Sequence, residues 1–220
     1  MPHWDERKEA NWKKFKFKQP YAKGLERLRR DILGKHDFDP ATLWQWGTMQ
    51  GMALVEILKS CEKHFGAAGQ KVVCDALHKI GLDIGRQVLD GFELPEGMTH
   101  GELWSFYATV INTIIYASLE KPQIDAGDKT TFDIVWCPHQ DHYQAMDCRV
   151  QRYFVQGMID AVREKLGPEF DANVKFDTTI PSGSHTCHFT VWKPTGEEKQ
   201  KWELYTKQLE AKALEHAKKS

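Results

Sequence analysis

A chain of 220 residues with 41% hydrophobic and 28% charged side chains has the composition of a globular protein, long enough for one large domain or two small ones. A formal net charge of −1 argues against a nucleic acid or an anionic membrane as partner, and no apolar run approaches the roughly 18 residues of a membrane span. Five cysteines, odd in number and sparse, with no apolar h-region after Met1, predict reduced thiols and a cytoplasmic location, not a disulfide scaffold.

Residues 1–39 read as a basic, aromatic N-terminal arm. Lys13-Lys14 and Arg27-Leu28-Arg29-Arg30 supply the charge. Trp4, Trp12, Phe15, Phe17 and Tyr21 supply apolar groups that should lie on the domain or on a second subunit. Asp39-Pro40 has the chemistry of a helix start, a capping carboxylate followed by a proline with no N–H to lose. The helix should run from about Pro40 to His64, with Leu43, Trp44, Met52, Val55, Ile57 and Leu58 as its apolar surface. Gly47 and Gly51 share a face where a backbone or a ligand could approach. Gly66-Ala67-Ala68-Gly69 is the stop. Val73, Leu77, Ile80, Ile84 and Val88 recur at spacings of three and four and predict a second helix over about Gln70 to Asp90, with Gly81 and Gly85 repeating the small-residue spacing. After a turn at Leu94-Pro95-Glu96-Gly97, the capping box Thr99-His100-Gly101-Glu102 opens a helix expected to reach about Leu119, burying Leu103, Phe106, Val110, Ile114 and Tyr116, and closed by Lys121-Pro122.

After Gly127 the period becomes two. Thr130 to Trp136 reads as a strand with Phe132, Ile134 and Trp136 on one face and Asp133, Val135 and Cys137 on the other, ended by Pro138. Asp147 caps a helix to about Leu166, Asn173 to Thr178 is a strand, Pro181 to Ser184 a turn, and Thr186 to Lys193 another strand. Thr195-Gly196-Glu197-Glu198 is a second capping box. The helix behind it carries Trp202, Tyr205, Leu209 and Leu214 on one side. Helices followed by strands around one helix predict an α+β fold: an antiparallel sheet of three to five strands with a layer of helices on one face. Residues 40–194 are expected to form one α+β domain, with 195–220 an amphipathic helix packed on that domain or on a partner subunit. The aromatic arm and the last helix together predict a homo-oligomer.

The chemistry-bearing residues gather between Thr130 and Trp192. Cys137 lies where a strand leaves the sheet, with His139, Asp141 and His142 close behind it. A thiolate nucleophile needs a neighbouring base or a helix N-terminus, and Asp141 could hold either histidine in its tautomer. Cys148 stands at the first turn of a helix. Cys187 shares a face with His185, Phe189 and Val191, whereas His188 points the other way. Backbone N–H groups around Ser182, Gly183 and Ser184 could receive an oxyanion or a carboxylate. The expected catalytic set is therefore Cys137, His139, His142 and Asp141, and the expected substrate-binding set is Cys148, Ser182, Gly183, Ser184, His185 and Cys187. No cofactor is expected in that reading. Its competitor is a zinc or iron site on Cys137, His139, Cys148 and Cys187, although no CxxC or HExxH spacing supports it. Cys61 and Cys74 read as core. The aromatic pairs Trp44/Trp46 and Phe106/Tyr107 could line a pocket.

The string Phe132-Asp133-Ile134-Val135-Trp136-Cys137-Pro138, Cys148 before an amphipathic helix, and Gly183 followed by Cys187-His188-Phe189-Thr190-Val191 resemble the L-2-amino-thiazoline-4-carboxylic acid hydrolase-like family, itself similar to 4-vinyl-reductase-type ligand-binding domains. The resemblance covers about Pro40 to Trp192. It implies a helical layer over an antiparallel sheet, a small-molecule pocket between them, and hydrolytic opening of a C–N bond in a small cyclic amide, amidine or thiazoline. Only Cys137, Cys148, Gly183 and Cys187 carry over. His139, Asp141, His142 and His185 are this chain's own additions. Two further possibilities stand beside a cysteine hydrolase: a metal-dependent enzyme at the same cluster, and a non-enzymatic small-molecule-binding module.

Overall fold

The computed structural model describes residues 21–91, 98–112, 119–125 and 129–219. The aromatics expected of the arm, Trp4, Trp12, Phe15 and Phe17, lie outside them, as do the turn at 94–97 and Ile114 and Tyr116. Helix α1, Tyr21–Arg27, runs into a π-helical turn, Leu28–Ile32, and helix α2 follows over Ala41–Gly91. Gly66 interrupts α2 at φ 58° and ψ −140°, a conformation open in practice only to glycine. The four-residue stop expected there contracts to this one residue. The bend is sharp: Gln70 Nε2 donates to Glu62 at 2.9 Å across eight residues.

Only Val55 and Leu58 of the apolar surface expected on the first part of α2 are buried, whereas Leu43, Trp44, Met52 and Ile57 are exposed and Trp46 is 62% exposed. Thr48 is the one buried residue between 41 and 50, so this part of the helix is largely uncovered among the described residues. The second part of α2 packs on helix α4, Val150–Leu166, which is preceded by a 3₁₀ turn at Asp147–Arg149. A Cβ on Gly81 would strike the Phe154 backbone, and one on Gly157 would strike the His78 carbonyl, so the two helices cross backbone to backbone. Arg149 Nη2 meets Glu62 Oε2 at 2.6 Å, both side chains buried, and Lys59 meets the buried Asp147 at 3.0 Å. These pairs clip the bend of α2 to the start of α4.

The sheet has four antiparallel strands in the order β1-β2-β4-β3: β1 is Leu119–Asp125, β2 Lys129–Trp136, β3 Asn173–Thr178 and β4 Cys187–Trp192. Phe132, Phe189 and Phe176 face one another across β2, β4 and β3, with ring centroids 5.1 and 5.4 Å apart. Strand β1 corrects the expectation of a helix to Leu119 closed by Lys121-Pro122. Pro122 lies inside the strand, opposite Phe132, and is tolerated because β1 is the sheet edge. Helix α3, His100–Val110, continues as π-helix at 111–112 and packs Leu103, Phe106, Tyr107 and Val110 into a core shared with β2, β4 and α4. The last helix, α5, Gly196–Ala217, begins at the expected capping box on Thr195 and Glu198. It lies on the domain itself, with the Glu210 carbonyl accepting from Gln70 and its carboxylate from Tyr153. No helix among the described residues is long and apolar enough to cross a membrane.

Candidate functional site

A cavity of about 140 Å³ opens between the sheet and helices α3 and α4. Phe176, Phe189 and Val191 form its sheet wall, Trp104, Tyr107 and Ile111 the α3 wall, and Val155, Met158 and Ile159 the α4 wall. Cys137, Cys148 and Cys187 all line it, together with His139 and Tyr143. An apolar void of this size stays dry and accepts a small apolar molecule: an engineered one of ~150 Å³ binds benzene.

Strand and turn geometry explain how the thiols converge. Cys187 opens β4 opposite Ile134, on the face that also carries Phe189 and Val191, as expected. Cys137 does not continue the alternation that would turn it to the opposite face. Strand β2 stops at Trp136, and the chain turns, with the Gln140 N–H on the Cys137 carbonyl at 3.1 Å and the Cys137 N–H on Gln140 Oε1 at 3.1 Å. The turn aims Cys137 inward beside Ile134. His139 then stacks on Tyr143, centroids 4.7 Å apart and planes 11° apart, while the Tyr143 hydroxyl donates to the Gly51 carbonyl at 3.2 Å. A Cβ at Gly51 would stand 2.6 Å from His139 Cε1. Of the two glycines expected to allow a close approach, Gly51 admits the histidine and Gly47 faces open space.

Electrostatics keep this pocket neutral. Burial pushes the Cys137 thiol up, opposed by a hydrogen bond from the His139 backbone and helped by nearby Cys187. Burial likewise raises Cys187 and carries Cys148 up to about 12, with the other two sulfurs adding to the rise. Burial, then the neighbouring His142, lowers His139, so its imidazole is uncharged near pH 7. Two polar atoms are buried at the pocket without a hydrogen-bond partner, His139 Nδ1 and Gln151 Oε1.

The remaining residues singled out in the sequence fall elsewhere. Asp141 and His142 are exposed, and the His142 ring faces Trp44 at 6.0 Å instead of the thiols. His185, Ser182 and Gly183 are exposed and Ser184 is half-buried; none of them lines the cavity. The Ser182, Gly183 and Ser184 N–H groups are already engaged by the Thr179 and Ile180 carbonyls at 2.9–3.3 Å, so they close their own turn and offer nothing to an oxyanion. His188 does point away, as expected, and meets Asp133 at 3.1 Å on the outer face. Of the two aromatic pairs, Tyr107 lines the pocket and Trp44 and Trp46 are exposed. Trp104, Tyr143 and Gln151 line the pocket without belonging to any motif of the sequence. Of these, Tyr143 has a local signal, four residues beyond His139, whose carbonyl accepts from the Tyr143 N–H at 2.9 Å. The cysteines and His139 do not fit a zinc or iron site: among the described residues no three His, Cys, Asp or Glu side chains are grouped closely enough to hold an ion.

No family model matches the chain. A trafficking protein particle complex subunit 3 from Naegleria fowleri, solved covalently bound to palmitic acid, is 12% identical with a TM-score of 0.44, over 67% of this chain and 95% of that one. An uncharacterized protein of Archaeoglobus fulgidus is 50% identical over 216 residues, 96% of this chain and 95% of its own length. At that identity and coverage, the chain belongs to the same family as the Archaeoglobus fulgidus protein.

Proposed function

We propose that the protein is a binding module for a small, mostly apolar molecule that carries one polar group. The observation that supports this is the apolar cavity whose only buried polar atoms without partners, among the described residues lining it, are His139 Nδ1 and Gln151 Oε1. An unsatisfied buried polar atom costs about 1–3 kcal/mol, and a ligand group that bonds to one of them recovers much of that cost. The body of the ligand gains from apolar burial at roughly 25 cal/mol per Å². Titration with N-phenyl-1-naphthylamine, followed by the rise in its own fluorescence, tests the reading. Binding should saturate, and Val155→Trp, which fills the void, should abolish it while leaving the circular dichroism intact. Absence of saturable binding to the parent protein would refute the reading.

A second reading, the hydrolase acting on a cyclic C–N bond, draws support from one specific feature: Cys137 and an uncharged His139 line the same pocket. Here Cys137 attacks the electrophilic carbon, His139 takes the thiol proton and returns it to the nitrogen as the C–N bond breaks, and water, deprotonated by His139, then cleaves the C–S bond and restores the thiol. This chemistry needs a thiolate that burial opposes at all three cysteines, which is why the binding reading is preferred. In the hydrolase, Cys137→Ser would lower turnover of a cyclic amidine or amide by at least about 10²-fold. Five unpaired cysteines suit a reducing compartment such as the cytoplasm. The exposed run of Leu43, Trp44, Trp46, Met49 and Met52 favours a homo-oligomer, which light scattering checks.

A further inference from the structure

On the far side of α4 from the apolar pocket, a polar cleft of about 550 Å³ lies between α4, the start of β3 and α5. Asp160 and Asp171 are taken up by bases, and Glu203 and Glu210 also line the cleft, the Glu210 carboxylate accepting from the Tyr153 hydroxyl. Asp160 takes Arg163 at 3.1 Å and His78 at 2.7 Å, and Asp171 takes Lys199 at 2.9 Å. Arg152 is the exception. It is only 6% exposed, yet no carboxylate comes within ion-pair distance of it among the described residues, Glu210 acting on it only from longer range, and its Nε has no hydrogen-bond partner. Its guanidinium lies 3.8 Å from the Trp202 ring centroid and 4.8 Å from that of Tyr205, held there by Nη2 donating to Thr206 Oγ1 at 2.6 Å. Asn173, 3% exposed and lining the same cleft, has an Nδ2 with no partner.

A buried cation without a counterion is costly, and a partly satisfied polar cluster is costlier than an apolar one. Two buried donors with no acceptor, one of them a full positive charge clamped by aromatic rings, lack the same thing: an anionic acceptor from outside the chain. We propose that this cleft binds a small oxyanion, a phosphate or a carboxylate, between the Arg152 guanidinium and the Asn173 amide. The guanidinium suits either group because both present two oxygens in one plane. Lys207, exposed and also lining the cleft, offsets part of the negative charge that Glu203 and Glu210 present to an approaching ion.

Calorimetric titration of the full chain with sodium phosphate, sodium sulfate and sodium acetate, against sodium chloride at matched ionic strength, tests the proposal. Saturable heat from one or more of the three oxyanions and none from chloride is expected. Stronger binding of phosphate than of acetate, or the reverse, identifies which class the cleft takes. Arg152→Met should weaken that binding at least about tenfold. The substitution removes an uncompensated buried charge for a side chain of similar length, which is usually neutral or favourable to folding. Asn173→Ala, measured in parallel, should weaken binding as well. A parent protein that binds none of the oxyanions, or binds one with unchanged affinity in both folded variants, would overturn the proposal.

Discussion

The state of the pocket thiols decides between binding and hydrolysis, and Cys148 gives the sharpest reading. Its pKa rises from an ordinary 9.0 to about 12 because the sulfur is buried among apolar walls and two further sulfurs. At pH 8 such a thiol is ionised about 10³-fold less than an unperturbed one. The rarer thiolate is also the stronger nucleophile, and a Brønsted slope of roughly 0.4–0.5 over three units returns about 20–30-fold. The net expectation is alkylation by iodoacetamide about 50-fold slower than that of N-acetylcysteine, with the rate still climbing about tenfold per unit to pH 11. Peptide mapping by mass spectrometry follows each cysteine separately. The pH profile separates the two causes of slowness, since mere steric shielding would leave the plateau at an ordinary thiol pKa. A plateau for Cys148 below pH 9, or a rate matching N-acetylcysteine at pH 8, would refute the assignment of neutral thiols. A near-neutral plateau at Cys137 would favour the hydrolase.

The same shifts govern stability at alkaline pH. The folded pKa values of Cys148 (about 12) and Cys74 (about 11) lie above those of the unfolded chain, so their stabilisation is complete below about pH 8.5 and is lost as pH rises toward 11–12. Each should cost about 1.4 kcal/mol per pH unit across that window, seen as a falling urea midpoint between pH 8 and 10, whereas a flat profile would contradict the burial of these thiols. Gly157→Ala should destabilise by about 1–3 kcal/mol in thermal unfolding, because its methyl group would meet the His78 carbonyl and force α4 away from α2. Glu62→Leu should cost about 3–5 kcal/mol by stranding the buried Arg149, and pairing it with Arg149→Met should recover most of the loss.

What the sequence disclosed, and what it withheld, follows from which physical rule was local. Capping boxes are local: Thr99 with Glu102 and Thr195 with Glu198 form as read, because a hydroxyl and a carboxylate three residues apart satisfy N–H groups of their own helix. Alternation is local along a strand, so β2, β3 and β4 are placed to within a residue or two, and Cys187 faces the pocket with Phe189 and Val191. Strand β1 was hidden because proline argues against a strand only where its missing N–H would be needed, and whether a strand is an edge is decided by the whole sheet. The inward turn of Cys137 was hidden because alternation ends where the ladder ends. The side-chain amide of Gln140, three residues on, sets the direction from there. The Gly183 turn misled for a related reason. A glycine at φ 94° frees backbone donors for a ligand only if the turn does not use them, and this one does.

Helix α4 shows why neither cleft was visible in its own periodicity. Gln151, Val155, Met158 and Ile159 border the apolar pocket, whereas Arg152, Tyr153, Gln156, Asp160 and Arg163 border the polar cleft. Read as a pattern, that is an ordinary amphipathic helix with an apolar face to the core and a charged face to water. The charged face, however, is covered by α5, and Arg152 and Arg149 are 6% and 7% exposed. A polar face turned to solvent asks nothing of its neighbours, while a polar face turned into protein must find a partner for every donor. Arg149 finds Glu62 eighty-seven residues away, and that pair is structural. Arg152, three residues on and so about 60° short of a full helical turn, touches only ring faces, a hydroxyl and a distant carbonyl, with Glu210 acting on it from longer range. Arg149 in the 3₁₀ turn that leads into α4 and Arg152 in the first turn of α4 are thus both buried, and a carboxylate in contact with the first but not the second separates a structural clip from a site with room for an anion.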